Sequence, residues 1–194
     1  MQMSRRVTGL IHGPMASGKT ETLLMCAHLL SPQYERIVGI KSDLDKRWAG
    51  DFIQARSGLQ LSATACSSLA GVLPSPGTLF VIDEAQFFPD LLDSFMRMLT
   101  TACPSSGLIA AGLSQDSRGR EFGQVQAVVD LLAGQDKQHV FSEQLFAICT
   151  EQACGMPAAH TSCRGGHDPA SSPQIAIGDV GQYQPVCSQH FVTR

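Results

Sequence analysis

The string Gly13-Pro14-Met15-Ala16-Ser17-Gly18-Lys19-Thr20 follows directly on the apolar run Val7-Thr8-Gly9-Leu10-Ile11 and precedes the helix-like stretch Leu23-Leu24-Met25-Cys26-Ala27. This is the G-x-x-x-x-G-K-[ST] phosphate loop in the context it requires, a strand entering and a helix leaving. The glycines let the backbone curl until successive N–H groups point inward at phosphate oxygens. Lys19 then offers a point charge to the β- and γ-phosphates, Thr20 a hydroxyl for Mg2+, and the helix start its positive dipole end. A chance glycine turn would not also carry the matching flanks, so the string predicts binding of a nucleoside triphosphate.

Further apolar runs rich in β-formers recur at residues 36–40, 59–63, 78–82 and 107–111, separated by helix-compatible segments at 20–30 and 89–102. Alternating β and α with nearly continuous apolar strands predicts an α/β fold, a parallel sheet covered on both faces. Phosphate chemistry then belongs at the carboxyl edge of the strands. After about Leu145 the character changes to Cys, His, Gly, Pro and Ser. We therefore divide the chain into a phosphate-loop domain, residues 1–144, and a small appendage, residues 145–194, whose weak core calls for a staple.

The chain has 194 residues, 43% hydrophobic and 16% charged, enough to fill a sizeable core. A net charge of −3 offers no bulk basic field for nucleic acid or an anionic membrane, so triphosphate must be held by local cations. No apolar run approaches a membrane span, and residues 1–6 carry no signal-peptide h-region. The expectation is a soluble cytoplasmic protein.

The strand-like run Thr78-Leu79-Phe80-Val81-Ile82 ends in Asp83-Glu84. A parallel sheet brings Asp83 to the edge that holds Lys19 and Thr20, where it can serve the Mg2+ shell. Glu84, one residue further, can take a proton from water, giving an ATPase, or from a substrate hydroxyl, giving a kinase. Alone, such a pair reads as solvated strand-end acids; coupled to the loop, it reads as catalytic. Gln86-Phe87-Phe88 adds an amide and aromatic faces suited to a flat heterocycle, although the two Phe could equally start a core helix.

Seven cysteines, an odd number, do not read as a disulfide framework. Cys26, Cys66 and Cys103 sit among apolar or small residues and read as packing groups. Cys149-x4-Cys154 and Cys187-x2-His190 offer thiolate and imidazole pairs with structural-zinc spacing. Cys163-x3-His167 and His160 compete for the role, and free reduced cysteines are the alternative.

The strings HGPMASGKTETLL, IKSDLDKRWAG, VIDEAQFFPD, AGLSQDSRGREFG and IGDVGQYQPVCSQH resemble, in order and approximate spacing, the successive motifs of the type II thymidine kinase family. The resemblance touches most of residues 11–190. It implies a RecA-like domain with a small zinc-bearing lasso, use of ATP and Mg2+, phosphorylation of the 5′-hydroxyl of thymidine or a related pyrimidine deoxynucleoside, and a homotetramer. By position it implies Glu84 as catalytic base, Asp83 in the magnesium network, and Asp45 and Arg47 serving metal and phosphates. It also implies a nucleoside pocket of Met15, Phe87, Leu113, Phe122 and Tyr183, with Gln86 beside them and backbone groups of Ala176, Ile177 and Gly178 reading the base edge.

Three departures concern substrate. Ser117 stands where the family usually has a pocket Phe, Ser114 where an Asp is usual, and Ala16 where Phe is common. A lost aromatic wall removes stacking area and opens volume, which predicts either tolerance of a bulkier or modified pyrimidine or a weaker activity. The first cysteine pair also carries two more residues than the family's C-x-x-C. Two other readings stand beside the kinase: a phosphate-loop ATPase acting on or regulated by nucleic acid, and a zinc-ribbon binding module at 145–194. The shortage of Lys and Arg in the appendage argues against a nucleic-acid partner for either.

Overall fold

The computed structural model describes residues 6–45, 50–71, 74–101, 103, 105–136, 139–164 and 182–192. Its first part runs β1 (Thr8–His12), α1 (Lys19–Leu30), β2 (Arg36–Ser42), β3 (Phe52–Gln54), β4 (Gln60–Cys66), β5 (Thr78–Ile82), α2 (Leu91–Thr100), β6 (Gly107–Gly112), α3 (Val125–Ala133) and β7 (Val140–Gln144). The strands form one seven-stranded sheet in the order β3-β4-β2-β5-β6-β1-β7. Every pairing is parallel except β3 with β4.

Strand periodicity sorts the side chains onto two faces. Leu10, Phe80, Ile82, Leu108 and Ala110 pack with Leu91, Phe95 and Met98 of α2 and Val125, Val128 and Leu132 of α3. Their neighbours Ile11, Leu79, Val81, Ile109 and Ala111 pack with Leu23, Leu24 and Ala27 of α1 on the other face. Fully buried side chains such as Phe80 and Leu10 each stabilise the fold by about 1.5–3 kcal/mol through burial. The five strands expected from sequence are all present; β3, β7 and α3 are additions. Three residues are too few for β3 to show a period. In α3, the buried Val125, Val128 and Leu132 fall at helical spacing, but the Val-rich string hides a helix behind β-branched residues.

Beyond residue 144 the described chain holds only short strands: β8 (Ala147–Ile148), β9 (Pro157–Ala158), β10 (His160–Cys163) and β11 (Tyr183–Val186). They pair as two antiparallel ribbons, β8 with β9 and β10 with β11. The buried cluster beneath them is Ala147, Cys149, Ala158, Val186 and Cys187. Among the described residues, so few and such small buried apolar groups supply little hydrophobic free energy. Among the described residues, no helix is long and apolar enough to cross a membrane.

Candidate active site

Residues 13–18 turn between β1 and α1 with three positive φ angles: Gly13 at 151°, Ala16 at 59° and Gly18 at 82°. A Cβ on Gly13 would lie 2.3 Å from the Leu145 carbonyl oxygen, so the chain leaving β7 admits only glycine there. Ala16 holds a left-handed conformation that costs a non-glycine residue about 1–2 kcal/mol. Ser17 Oγ donates to the Pro14 carbonyl at 2.9 Å, and Lys19 Nζ donates to the same oxygen at 2.6 Å. The ammonium is thereby folded over the loop, with Lys19 only 9% exposed. Burial, reinforced by the Lys19 charge, pushes the adjoining His12 imidazole down, so the loop's base carries no second cation at neutral pH.

Thr20 is the second residue of α1, and its Oγ1 donates toward both carboxylate oxygens of Asp83, at 3.2 and 3.1 Å. β6 lies between β1 and β5, so the two strands stand two spacings apart, about 10 Å. Helix α1 bridges that gap by packing on Ala111 and Ile109 of β6 and Val81 of β5. Hydroxyl and carboxylate thus meet at the sheet edge, an oxygen pair suited to a hard divalent cation. Asp45 lies just past β2, its N–H donating to the Ser42 carbonyl at 3.0 Å. Arg47, Ala176, Ile177, Gly178 and His167 lie outside the described residues.

Glu84 follows β5 in a left-handed conformation, φ 52° and ψ 46°, before a 3-10 turn over Ala85–Phe87. Gln86, 4% exposed, donates from Nε2 to Glu84 Oε2 at 2.5 Å and accepts at Oε1 from the Leu113 N–H at 2.9 Å. One buried amide therefore orients the carboxylate and ties it to the end of β6. The strained backbone of Glu84 is held by this surrounding network, as is usual where a side chain is aimed for chemistry.

The segment 113–123 covers this turn. A Cβ on Gly123 would come within 2.2 Å of the Gln86 carbonyl oxygen, which shows how closely the two backbones approach. Phe87 and Phe122 meet edge to face, centroids 5.7 Å apart and planes at 88°. Leu113 and Ser117 are half-buried in the same segment. The organiser here is Asp116, which the sequence reading passed over. Its carboxylate accepts from the N–H groups of Arg118 at 2.8 Å and Arg120 at 3.0 Å, and from the Arg120 guanidinium at 2.9 and 2.7 Å. The readable signal was an Asp two and four residues before Arg118 and Arg120 across Gly119, a side-chain-capped turn.

The ribbon β10–β11 reaches both loops. Thr161 Oγ1 accepts from the Met15 N–H at 2.9 Å. Tyr183, half-buried on β11, has its phenol pushed up, first by burial, with Cys163 and Asp116 adding and Arg118 opposing. Of the expected pocket residues, Gln86, Phe87, Leu113 and Phe122 are thus joined by direct contacts, while Met15 is tied to β10 and Tyr183 pairs with Cys163 across the ribbon.

Cys149, Cys154, Cys187 and His190 form a group whose ligand atoms all lie within 4.8 Å of one another. Cys154 Sγ is 3.8 Å from Cys187 Sγ, and His190 Nδ1 is 3.5 Å from Cys149 Sγ and 3.4 Å from Cys187 Sγ. Zinc bonds of about 2.3 Å to sulfur and 2.0–2.1 Å to nitrogen give tetrahedral edges of about 3.8 Å and about 3.5 Å, the distances observed. Burial alone would push the Cys149 thiol up, but N–H groups of Cys187 and Glu151 and the His190 ring hold it below its usual range. That favours the thiolate a metal requires. The competitors stand apart: Cys163 Sγ faces the Arg164 carbonyl, and His160 bonds to Gln115 and Ser188.

A family model described as thymidine kinase matches residues 7–191.

Proposed function

The chain belongs to the thymidine kinase family, and from that premise we propose how its residues divide the reaction. As a member of that family it is a transferase that phosphorylates a nucleoside in nucleotide salvage, with ATP as donor. An ATPase acting on nucleic acid is not favoured. The observation that carries the assignment of roles is the convergence of Lys19, the Thr20–Asp83 pair and the Gln86-oriented Glu84 at one sheet edge.

In this reading the N–H groups of residues 13–20 and Lys19 hold the β- and γ-phosphates. Thr20 and Asp83, with Asp45 contributing, would hold Mg2+, which when bound neutralises charge on the phosphates, and Arg47 serves the phosphates. Glu84 accepts the proton of the 5′-hydroxyl as that oxygen bonds to the γ-phosphorus; the bond to the β-phosphate oxygen breaks and ADP leaves. The nucleoside lies among Met15, Gln86, Phe87, Leu113, Ser117, Phe122 and Tyr183, with residues 176–178 on the base edge. The test is ATP consumption with added nucleosides and with polynucleotide; stimulation by polynucleotide alone would overturn the assignment.

The appendage, residues 145–194, is a domain stapled by one Zn2+ on Cys149, Cys154, Cys187 and His190, and the enzyme works as a cytoplasmic homotetramer. Protein purified without added metal should contain one zinc per chain by elemental analysis, and Cys187→Ser should lose it along with the order of the ribbons. Zinc retained in full by that variant would move the site to Cys163 and His167.

Substrate range turns on Ser117. If it replaces an aromatic wall, the pocket admits a larger C5 substituent than a Phe-lined one, and Ser117→Phe should narrow the range by about 1–3 kcal/mol of discrimination. Comparing kcat/KM for thymidine and C5-enlarged analogues in both proteins checks this; identical preference profiles exclude the enlarged pocket.

A further inference from the structure

His160 has a use that neither the metal cluster nor the transfer reaction absorbs. It begins β10, and its neighbour Thr161 accepts from the Met15 N–H of the phosphate loop. Consecutive strand residues face opposite ways, and His160 accordingly reaches the other loop: its Nδ1 is 3.0 Å from Gln115 Oε1. An amide oxygen only accepts, so Nδ1 donates to it, and Nε2 shares a hydrogen bond with Ser188 Oγ at 3.2 Å. The ring is further fixed by stacking on Phe191, centroids 4.4 Å apart and planes at 13°. Gln115 in turn sits beside the Asp116-capped turn and pairs with Glu121 in an isolated antiparallel bridge.

We propose that His160 is a positioning residue for the nucleoside pocket: through Gln115 it holds the 113–123 segment in place. This rests on the reading that 113–123 lines that pocket. β10 is then a wedge, with Thr161 steadying the phosphate loop on one side and His160 the substrate segment on the other. A histidine weighed as a metal ligand from sequence is spent on orientation instead.

The test uses the full-length, zinc-replete enzyme. His160→Ala removes the donor, whereas His160→Asn keeps an N–H close to where Nδ1 sits. His160→Ala should raise the KM for thymidine about five- to tenfold, the scale of one lost oriented hydrogen bond, with kcat and the KM for ATP near wild type. Amide exchange across 113–123 should quicken in the same variant, with zinc content unchanged. His160→Asn should recover most of the loss, and adding Gln115→Ala to His160→Ala should do no further harm. Unchanged exchange at 113–123, a defect that Asn does not repair, or losses that multiply in the double variant would each overturn the positioning role. A wild-type enzyme that phosphorylates no nucleoside would instead overturn the reading of the pocket, while the exchange measurement still reports on the brace itself.

Discussion

Glu84→Gln should lower kcat by roughly 10²–10⁴ while leaving ATP binding near wild type, the range for loss of a general base. The substitution is close to isosteric, and its amide oxygen can still accept from Gln86 Nε2, now 2.5 Å from Glu84 Oε2. The left-handed backbone at this position is also retained, since both residues carry a Cβ. What disappears is the capacity to take a proton, so a fall in kcat isolates that step. Steady-state turnover at saturating ATP, with nucleotide affinity measured separately, decides it. Near wild-type turnover would remove Glu84 from the role of base.

Lys19→Ala should reduce kcat/KM for ATP by roughly 10²–10³, comparable to deleting one preorganised electrostatic contact to a reacting group. The side chain also loses its hydrogen bond to the Pro14 carbonyl, so the loop is slackened as well as discharged. The ammonium is directed at the loop and away from the apolar clusters on either face of the sheet, so the thermal unfolding midpoint should move little. Unchanged kinetics with ATP would mean that residues 13–20 hold no triphosphate.

Sequence alone made the sheet and the two chemical strings legible because both are local. A phosphate loop and a strand ending in Asp83-Glu84 are read within a dozen residues, and parallel topology alone suffices to bring them to one edge. The members of the Cys and His cluster were legible for the same reason, as two short pairs. Contacts between remote segments were not: the Met15–Thr161 hydrogen bond joins residues 146 apart, and no periodicity encodes it. Asp116, though inside a quoted string, was passed over because its importance lies in the backbone N–H groups and the guanidinium it gathers, which the string does not display. His160 was weighed as a ligand because spacing cannot tell which way a strand residue faces; the register of β10 on β11 decides that.

The bond from Met15 to Thr161 places one short ribbon in contact with the phosphate loop while the same appendage carries the Cys and His cluster. Two ligands that share a mechanical element are bound by reciprocity: whatever free energy an ion at the cluster lends to nucleotide affinity, nucleotide must return to the ion. An ion that bound the cluster more tightly in the presence of nucleotide would, by the same factor, tighten nucleotide at the phosphate loop.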